Sequence, residues 1–385
     1  MNKSINFHLN KFPSVPHVLR KIPLIDEAKT EFTIDLARLY HHYNMDKWGN
    51  APIDPDPGNF EYLRYLYSSN DFRLLESAVS TSSSTKREIS FRLGQAFCRY
   101  FLYEFCGITY FAHMDKVLER PLHPAFDGMR ISRRSDGDVP DYLCAKSVIK
   151  PYIAEAKGRF TNISFASAEF KTWREQFTRI KVADKYGINK KLKGYIVGTK
   201  FVTDKNSPIT MPCIMAEDPE TIGEEYISGN QLGLGKGCIA LHYAELIYKL
   251  GFNLLAASLD EGFIVPNDIQ YQLPIWECHY PPLQGERFVG GYIGDSELHF
   301  QQQSNGHTVF YPNILRLGIP SPTFFGLRAS TFKILRKVCM GQWDMLSEIP
   351  ELPDTEFRGS NIAWLRDGSV SGSLDFFSLA GTETF

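Results

Sequence analysis

The sequence lacks a marked excess of charge, clustered cysteines and long apolar runs. Lysine and arginine number 42 against 44 aspartates and glutamates, so no overall positive field attracts the chain to nucleic acid. The seven cysteines include no C-x-x-C pair, which argues against a zinc knuckle and favours reduced thiols. The first residues lack the continuous apolar segment of a secretory signal, and no apolar stretch is as long as a bilayer span. We therefore expect a cytoplasmic protein with no membrane partner.

The length of 385 residues predicts two or three modules. We expect a mainly helical N-terminal region over 1–85, a core over 86–205, an α+β C-terminal region over 206–346 and a polar tail over 347–385. The glycine-rich segment 229–238 lacks the G-x-x-x-x-G-K-[ST] order, which argues against an ATP or GTP site.

The most informative stretch is PDYLCAKSVIKPYIAEAKG, residues 140–158. It has the pattern of two short apolar strands joined by a turn. Side chains alternate along a strand, so Glu155 and Lys157 are expected on one face. If the two strands pair antiparallel, Asp141 approaches Glu155 from the neighbouring strand. Two carboxylates and a lysine at one spot suit a hard divalent cation beside a positive charge.

This arrangement resembles the PD-(D/E)xK nuclease superfamily, with Asp141, Glu155 and Lys157 as its D, E and K. The proline before the aspartate, Pro140, is also present. The resemblance covers about the middle third of the chain, residues 92–202. A bare E-x-K is common on solvated strands, so the resemblance depends on the apolar strand in which this E-x-K lies.

The resemblance implies an α/β protein with a restriction-endonuclease-like core, in which helices flank a mixed central sheet. It implies that Asp141, Glu155 and the backbone carbonyl of Ala156 ligate Mg²⁺ or Mn²⁺. Lys157 would orient the attacking water and stabilise developing charge. The family often has a metal-assisting glutamate on the preceding helix, where this chain has Gln95. A hydrogen-bonding core glutamine is the alternative.

A helix is predicted after the motif, capped by Ser164 or Ser167 and running to about Lys181. Family nucleases often place a glutamine or a basic residue on this helix. We therefore assign Gln176 to the catalytic set and Arg179 to phosphate positioning, against the alternative of an ordinary amphipathic helix.

Basic residues outnumber acidic ones between residues 171 and 205, beside the motif. Lys190, Lys191 and Lys193 cluster there and are predicted to contact nucleic-acid phosphates. The expected function is metal-dependent hydrolysis of DNA phosphodiester bonds, in restriction or phage defence by analogy with the superfamily.

Two alternatives stay open: a non-catalytic nucleic-acid-binding or scaffold subunit of a defence or mobile-element complex, and an RNA nuclease. The C-terminal region is expected to select the substrate or bind a protein partner. Homo-oligomerisation is left open.

Overall fold

The protein divides into two compact units. The structure, a computed structural model, describes residues 2–46, 66–79, 82–120, 122–219, 232–293, 299–302, 308–311, 323–353 and 362–385. The first unit comprises residues 1–46 and 64–243, and the second comprises residues 47–63 and 244–385. Among the described residues, no helix is both long and apolar enough to cross a membrane.

The first unit contains twelve of the described strands and most of the described helices. Its strands are β1 (Asn2–Asn10), β2 (Glu31–Asp35), β3 (Arg73–Leu74), β4 (Tyr110–His113), β5 (Arg130–Arg133), β6 (Tyr142–Ala145), β7 (Pro151–Arg159), β8 (Ile180–Ala183), β9 (Asn189–Lys190), β10 (Gly194–Lys200), β11 (Val202–Thr203) and β12 (Cys213–Glu217). Its helices are α1 (Leu36–Asp46), α2 (Glu76–Val79), α3 (Ser83–Cys106), α4 (Met114–Val117), α5 (Ala168–Gln176) and the start of α6 (Leu232–Lys249).

Seven of these strands form one mixed sheet in the order β2-β1-β12-β10-β7-β6-β4. The β1–β12 and β10–β7 pairs are parallel and the other four are antiparallel. The first unit is therefore α/β, with a large mixed sheet flanked by helices. A smaller sheet, β5-β8-β9, lies in the same unit, as does the short parallel pair β11-β3.

Helices cover both faces of the central strand β7, which is why most of its residues are buried. The 24-residue helix α3 packs along β7 and ends at Gly107, which takes a left-handed conformation with φ of 67°. This confirms the stop predicted from the sequence. The helix after the motif is capped by Ser167, which is one of the two predicted caps. It ends at Gln176, before the predicted end near Lys181.

The sheet draws on residues outside the predicted core of 86–205. Its strands β1 and β2 come from the N-terminal region that was expected to be mainly helical. In β1 apolar and polar residues alternate, and Ile5 and Phe7 are buried, as in a strand with one face on the core. Strand β12 comes from beyond residue 205 and lies in the sheet between β1 and β10.

The second unit is built on an antiparallel sheet. Its described elements are helices α7 (Asn253–Glu261) and α8 (Ala329–Cys339) and strands β13 (Gln272–Cys278), β14 (Arg287–Ile293), β15 (His299–Gln302), β16 (Thr308–Tyr311), β17 (Thr323–Arg328), β18 (Ile362–Trp364), β19 (Ser369–Ser373) and β20 (Phe377–Thr384). Six of these strands pair in the order β18-β19-β17-β14-β13-β20, and β15 pairs with β16.

The predicted polar tail over 347–385 lies partly outside the described residues, and residues 362–385 form three strands of the sheet instead of a tail. Trp364, Val370 and Phe377 are buried in the apolar core of the six-stranded sheet. Ser369 and Ser371 are also buried within β19. The expectation failed because serine and glycine are typical of loops in composition, whereas β19 has both of its faces covered and buries these small residues.

Candidate active site

The strand pair predicted over residues 140–158 forms as expected. Strands β6 and β7 are antiparallel, with Tyr142 opposite Ala154. Asp141 directly precedes β6 and continues the pairing with its side chain, because its Oδ2 accepts a 2.8 Å hydrogen bond from the Ala156 N–H. The structure thereby places Asp141 beside Glu155.

The motif side chains lie on one face of β7, and helix α3 packs on the other. A Cβ at Gly158 would lie 1.7 Å from the Ser90 carbonyl oxygen, and one at Gly94 would lie 2.5 Å from the Gly158 nitrogen. These glycines let the backbone of α3 approach the strand. Since side chains alternate, α3 covers the face of Gly158, and Glu155 and Lys157 project to the other face.

Helix α5 covers the face to which Glu155 projects. Strand β10 pairs parallel with β7, and Ile196 lies opposite Glu155 while Gly198 lies opposite Lys157. Residues directly opposite each other share a face. A Cβ at Gly198 would lie 3.1 Å from the Trp173 ring of α5, so α5 and the motif side chains lie on the same side of the sheet.

The three motif side chains meet in a site that is closed at one end. The Lys157 ammonium contacts Glu155 Oε1 and lies 3.6 Å from Asp141 Oδ2. The Glu155 side chain is 0% exposed, whereas the Asp141 and Lys157 side chains are 17% and 19% exposed. Glu155 thus forms the floor of the site, and the other two residues border its opening.

The pKa values in the site reflect burial and crowding of charge. Burial raises the pKa of the Glu155 carboxyl well above its usual range, and the charge of Asp141 raises it further, while Lys157 opposes both. Burial lowers the pKa of Lys157, but the carboxylates of Glu155 and Asp141 outweigh burial, so the pKa is raised overall. The raised pKa of Lys157 favours its charged ammonium form.

The donor set fits a hard divalent cation. The Glu155 carboxyl faces one ammonium, Lys157, and a second carboxyl group, Asp141, and neither of its oxygens has a hydrogen-bond partner of regular geometry among the described residues. A buried carboxylate that shares its one ammonium with a second carboxylate is costly unless a further cation accompanies it. The Ala156 N–H points to Asp141, and the carbonyl of the same residue points to that side of the strand.

Two carboxylates and one carbonyl leave the remaining positions of the ion to water, as is usual for Mg²⁺. The described residues contain no group of three or more His, Cys, Asp and Glu side chains placed to hold a metal ion. The candidate site therefore depends on Asp141 and Glu155 as its only charged ligands within the described chain.

Gln176 lies on the side of α5 that faces β7. Arg174 of α5 pairs with Glu217 of β12, on the far side of β10 from β7. Gln176 is two residues further on, about 200° around the helix, so it projects toward the strand that carries Glu155. It is buried, and its Oε1 has no hydrogen-bond partner among the described residues.

Arg179 lies beside the opening of the site. Its Nη1 donates a 3.0 Å hydrogen bond to the Asp138 carbonyl oxygen, and the Asp138 carboxylate helps to raise the pKa of Lys157. Gln95 is buried on α3, which covers the opposite face of the sheet from the Glu155 side chain. The structure thus brings Arg179 near the motif and places Gln95 on the other face.

The three predicted phosphate contacts differ in their surroundings. Lys190 lies 3.2 Å from Asp184, and Lys193, which is mostly buried, lies 2.7 Å from Asp218. Lys191 is exposed and forms no ion pair in the described chain. Lys193 directly precedes β10, while Lys190 lies on β9 of the smaller sheet.

Another buried carboxylate near the site, Glu217, was missed from the sequence. It lies opposite Ile196 in β10, so it shares a face with Glu155. Arg174 donates two hydrogen bonds of 2.6 and 2.7 Å to it, and Asn10 donates a third. The available signal was a glutamate at the end of the apolar strand CIMAE. Because Glu217 is fully paired, it supports α5 rather than offering a ligand.

No protein-family model, curated protein or solved structure matches this chain.

Proposed function

We propose that the first unit is a metal-dependent nuclease with a restriction-endonuclease-like core, acting on DNA phosphodiester bonds. One observation carries the proposal: Asp141, Glu155 and Lys157 converge at a site whose buried carboxylate contacts no hydrogen-bond donor but Lys157 among the described groups. A structural ion pair alone does not account for a second carboxylate at the same ammonium, since like charges crowded together in a buried site destabilise the fold.

The residues would act as follows. Asp141, Glu155 and the Ala156 carbonyl would hold Mg²⁺ or Mn²⁺, which when bound lowers the pKa of water and polarises phosphoryl oxygens. Asp141 is kept in position by the Ala156 N–H. Lys157, held as an ammonium by the two carboxylates, would stabilise the negative charge that develops on the phosphoryl oxygens.

Two residues would assist these three. Gln176, with its side chain directed to β7, would hydrogen-bond the attacking water or a phosphate oxygen. Arg179, at the rim beside Asp138, would position the phosphate that follows the scissile one. Helix α5 excludes bulk water from Glu155, which strengthens each of these electrostatic interactions.

DNA is proposed as the substrate because the motif resembles that of a superfamily of DNA nucleases. A cleavage assay distinguishes DNA from RNA as the substrate. Full-length protein is incubated with supercoiled plasmid, linear duplex, single-stranded DNA and single-stranded RNA in Mg²⁺, Mn²⁺ or EDTA. We expect Mg²⁺- or Mn²⁺-dependent cleavage of at least one DNA substrate and none in EDTA.

Matched variants assign the activity to this site. Asp141→Asn and Glu155→Gln keep the size of each side chain but remove its charge, and each should abolish cleavage and calorimetric Mn²⁺ binding. Asp138→Asn removes an exposed carboxylate nearby and should retain Mn²⁺ binding. Cleavage of RNA alone would move the proposal to an RNA nuclease. Mn²⁺ binding that persists in both site variants would refute the metal assignment.

A further inference from the structure

The hairpin between β8 and β9 has a tightly held tip that presents apolar side chains to solvent. Asp184 Oδ1 accepts hydrogen bonds of 2.9 Å from the N–H groups of both Tyr186 and Ile188. Gly187 takes a left-handed conformation with φ of 79°, and its N–H donates to the Asp184 carbonyl. These three hydrogen bonds within five residues fix the backbone of the tip.

The side chains on this tip project outward. Tyr186 is 77% exposed and Ile188 is 57% exposed. The Lys185 ammonium lies 5.4 Å from the centre of the Tyr186 ring. The turn holds this ring in water with one face toward the Lys185 ammonium, which leaves the other face available to a ligand at little cost in conformational entropy.

A basic cleft lies against the same small sheet. Its volume is about 520 Å³, and its apolar wall includes Ile153 and Phe177. Its basic lining residues are Lys11, Arg134, Arg174, Lys190 and Lys191, and no acidic residue lines it within the described chain. Glu217 pairs with Arg174 and Asp184 pairs with Lys190, whereas no described acidic group pairs with Arg134 or Lys191.

The cleft has neighbours in both the candidate active site and the hairpin, because its lining includes Ile153 of β7 and Val182 and Lys190 of the strands β8 and β9. Ile153 of its wall lies two residues before Glu155 on the same face of β7. Arg134 donates its N–H to the Arg179 carbonyl, and Arg179, which borders the site, directly precedes β8. Strand β8 then leads to the turn that carries Tyr186, and its four residues span roughly 13 Å at about 3.3 Å per residue.

We infer that the cleft and the hairpin tip bind a single-stranded segment of nucleic acid, with phosphates in the cleft and a base stacked on Tyr186. A positively charged groove combined with an aromatic platform is the arrangement that binds unpaired strands irrespective of sequence. The inference deepens and rests on the proposed nuclease function, and it gives the substrate class as DNA with an unpaired segment beside the cut.

The charge of the cleft favours nucleic acid over a protein partner. Two cations without acidic partners suit a regular series of phosphates. Stacking also explains why an aromatic ring, rather than a second aliphatic side chain, lies beside Lys185, because every base has a flat face that a ring can cover.

The test measures binding without cleavage. Anisotropy of labelled single-stranded DNA, single-stranded RNA and blunt duplex is measured with full-length protein in EDTA at several salt concentrations. We expect unpaired DNA to bind more tightly than duplex. Tyr186→Ala should weaken binding of unpaired DNA about five- to hundredfold with an unchanged salt slope, and Tyr186→Phe should bind as the wild type does. Lys191→Ala should lower the salt slope by about 0.7.

Ile209→Ala is the matched control, because Ile209 is 90% exposed elsewhere in the first unit. It should bind as the wild type does, and equal thermal midpoints should show that all the variants are folded. Preference for duplex, or unchanged affinity in Tyr186→Ala, would overturn the inference even if the protein cleaves DNA. Tyr186-dependent binding without Mg²⁺-dependent cleavage would leave the binding site standing and refute the nuclease function. If Tyr186→Ala weakened the binding of single-stranded RNA as much as that of single-stranded DNA, the result would support the site and show that it accepts both nucleic acids.

Discussion

Glu155→Gln should stabilise the metal-free protein, and the gain should grow as the pH rises. The wild-type carboxyl is fully buried, and its pKa is raised by burial and by Asp141. A carboxyl whose pKa is higher in the folded state favours folding when it is protonated. That contribution is complete below the unfolded pKa of about 4.3 and is lost as the pH rises through the folded pKa.

The magnitude follows from proton linkage. Between the unfolded and folded pKa values, the wild type should lose up to about 1.4 kcal/mol of unfolding free energy per pH unit relative to the Gln variant. In a unit of this size, about 1 kcal/mol shifts the thermal midpoint by about 2–4 °C. The Gln variant loses the ion pair between residue 155 and Lys157, but Lys157 still lies 3.6 Å from Asp141 Oδ2. The cost of losing that ion pair does not vary with pH below the lysine pKa, so it does not change the expected slope.

The assay is thermal unfolding of both proteins from pH 4 to pH 8 in EDTA, followed by the same series in Mg²⁺. With Mg²⁺ at ten times its Kd, the unfolding free energy of the wild type should rise by about 1.4 kcal/mol and that of the Gln variant should not change. The stability difference between the two proteins should therefore become smaller or change sign. Parallel stability curves in EDTA would refute the conclusion that the carboxyl is buried with a raised pKa. Equal Mg²⁺ effects on both proteins would refute its role as a ligand.

Two further predictions concern packing and ion pairing around the site. Gly158→Ala should destabilise the first unit by about 3 kcal/mol in thermal unfolding, since its Cβ would overlap the Ser90 carbonyl, whereas Gly291→Ala, with open space around it, should change stability by less than about 1 kcal/mol. A neutral Gly158→Ala would show that α3 does not pack on the strand. Arg174→Ala should lower the urea midpoint by the equivalent of about 3 kcal/mol, because the buried carboxylate of Glu217 loses its cation; an unchanged midpoint would show that the Arg174–Glu217 ion pair does not stabilise the fold.

The sequence was most informative where local rules act alone. Alternation along a strand predicted the shared face of Glu155 and Lys157, and the apolar segments predicted the pairing that brings Asp141 to them. The glycine stop of α3 and the serine cap of α5 are also local signals, and both are found.

The rest depends on contacts between residues far apart in the chain. Nothing near β1 indicates that it pairs with β12, more than 200 residues later, so the extent of the central sheet was not predictable. The tight packing of Gly94 on Gly158 becomes visible only when α3 and β7 are brought together. For the same reason a run of lysines does not reveal that Asp218 holds Lys193 while Lys191 stays unpaired in the described chain.

The most direct test of the central claim separates chemistry from binding at Lys157. Single-turnover cleavage of plasmid DNA in Mg²⁺ is measured for the wild type and Lys157→Ala, with Mn²⁺ binding and DNA binding followed in parallel. Because Lys157 is assigned to charge stabilisation and the carboxylates to the ion, the variant should lose about two to three orders of magnitude in rate. It should still bind Mn²⁺ and DNA. A Lys157→Ala protein that cleaves at the wild-type rate would contradict the account.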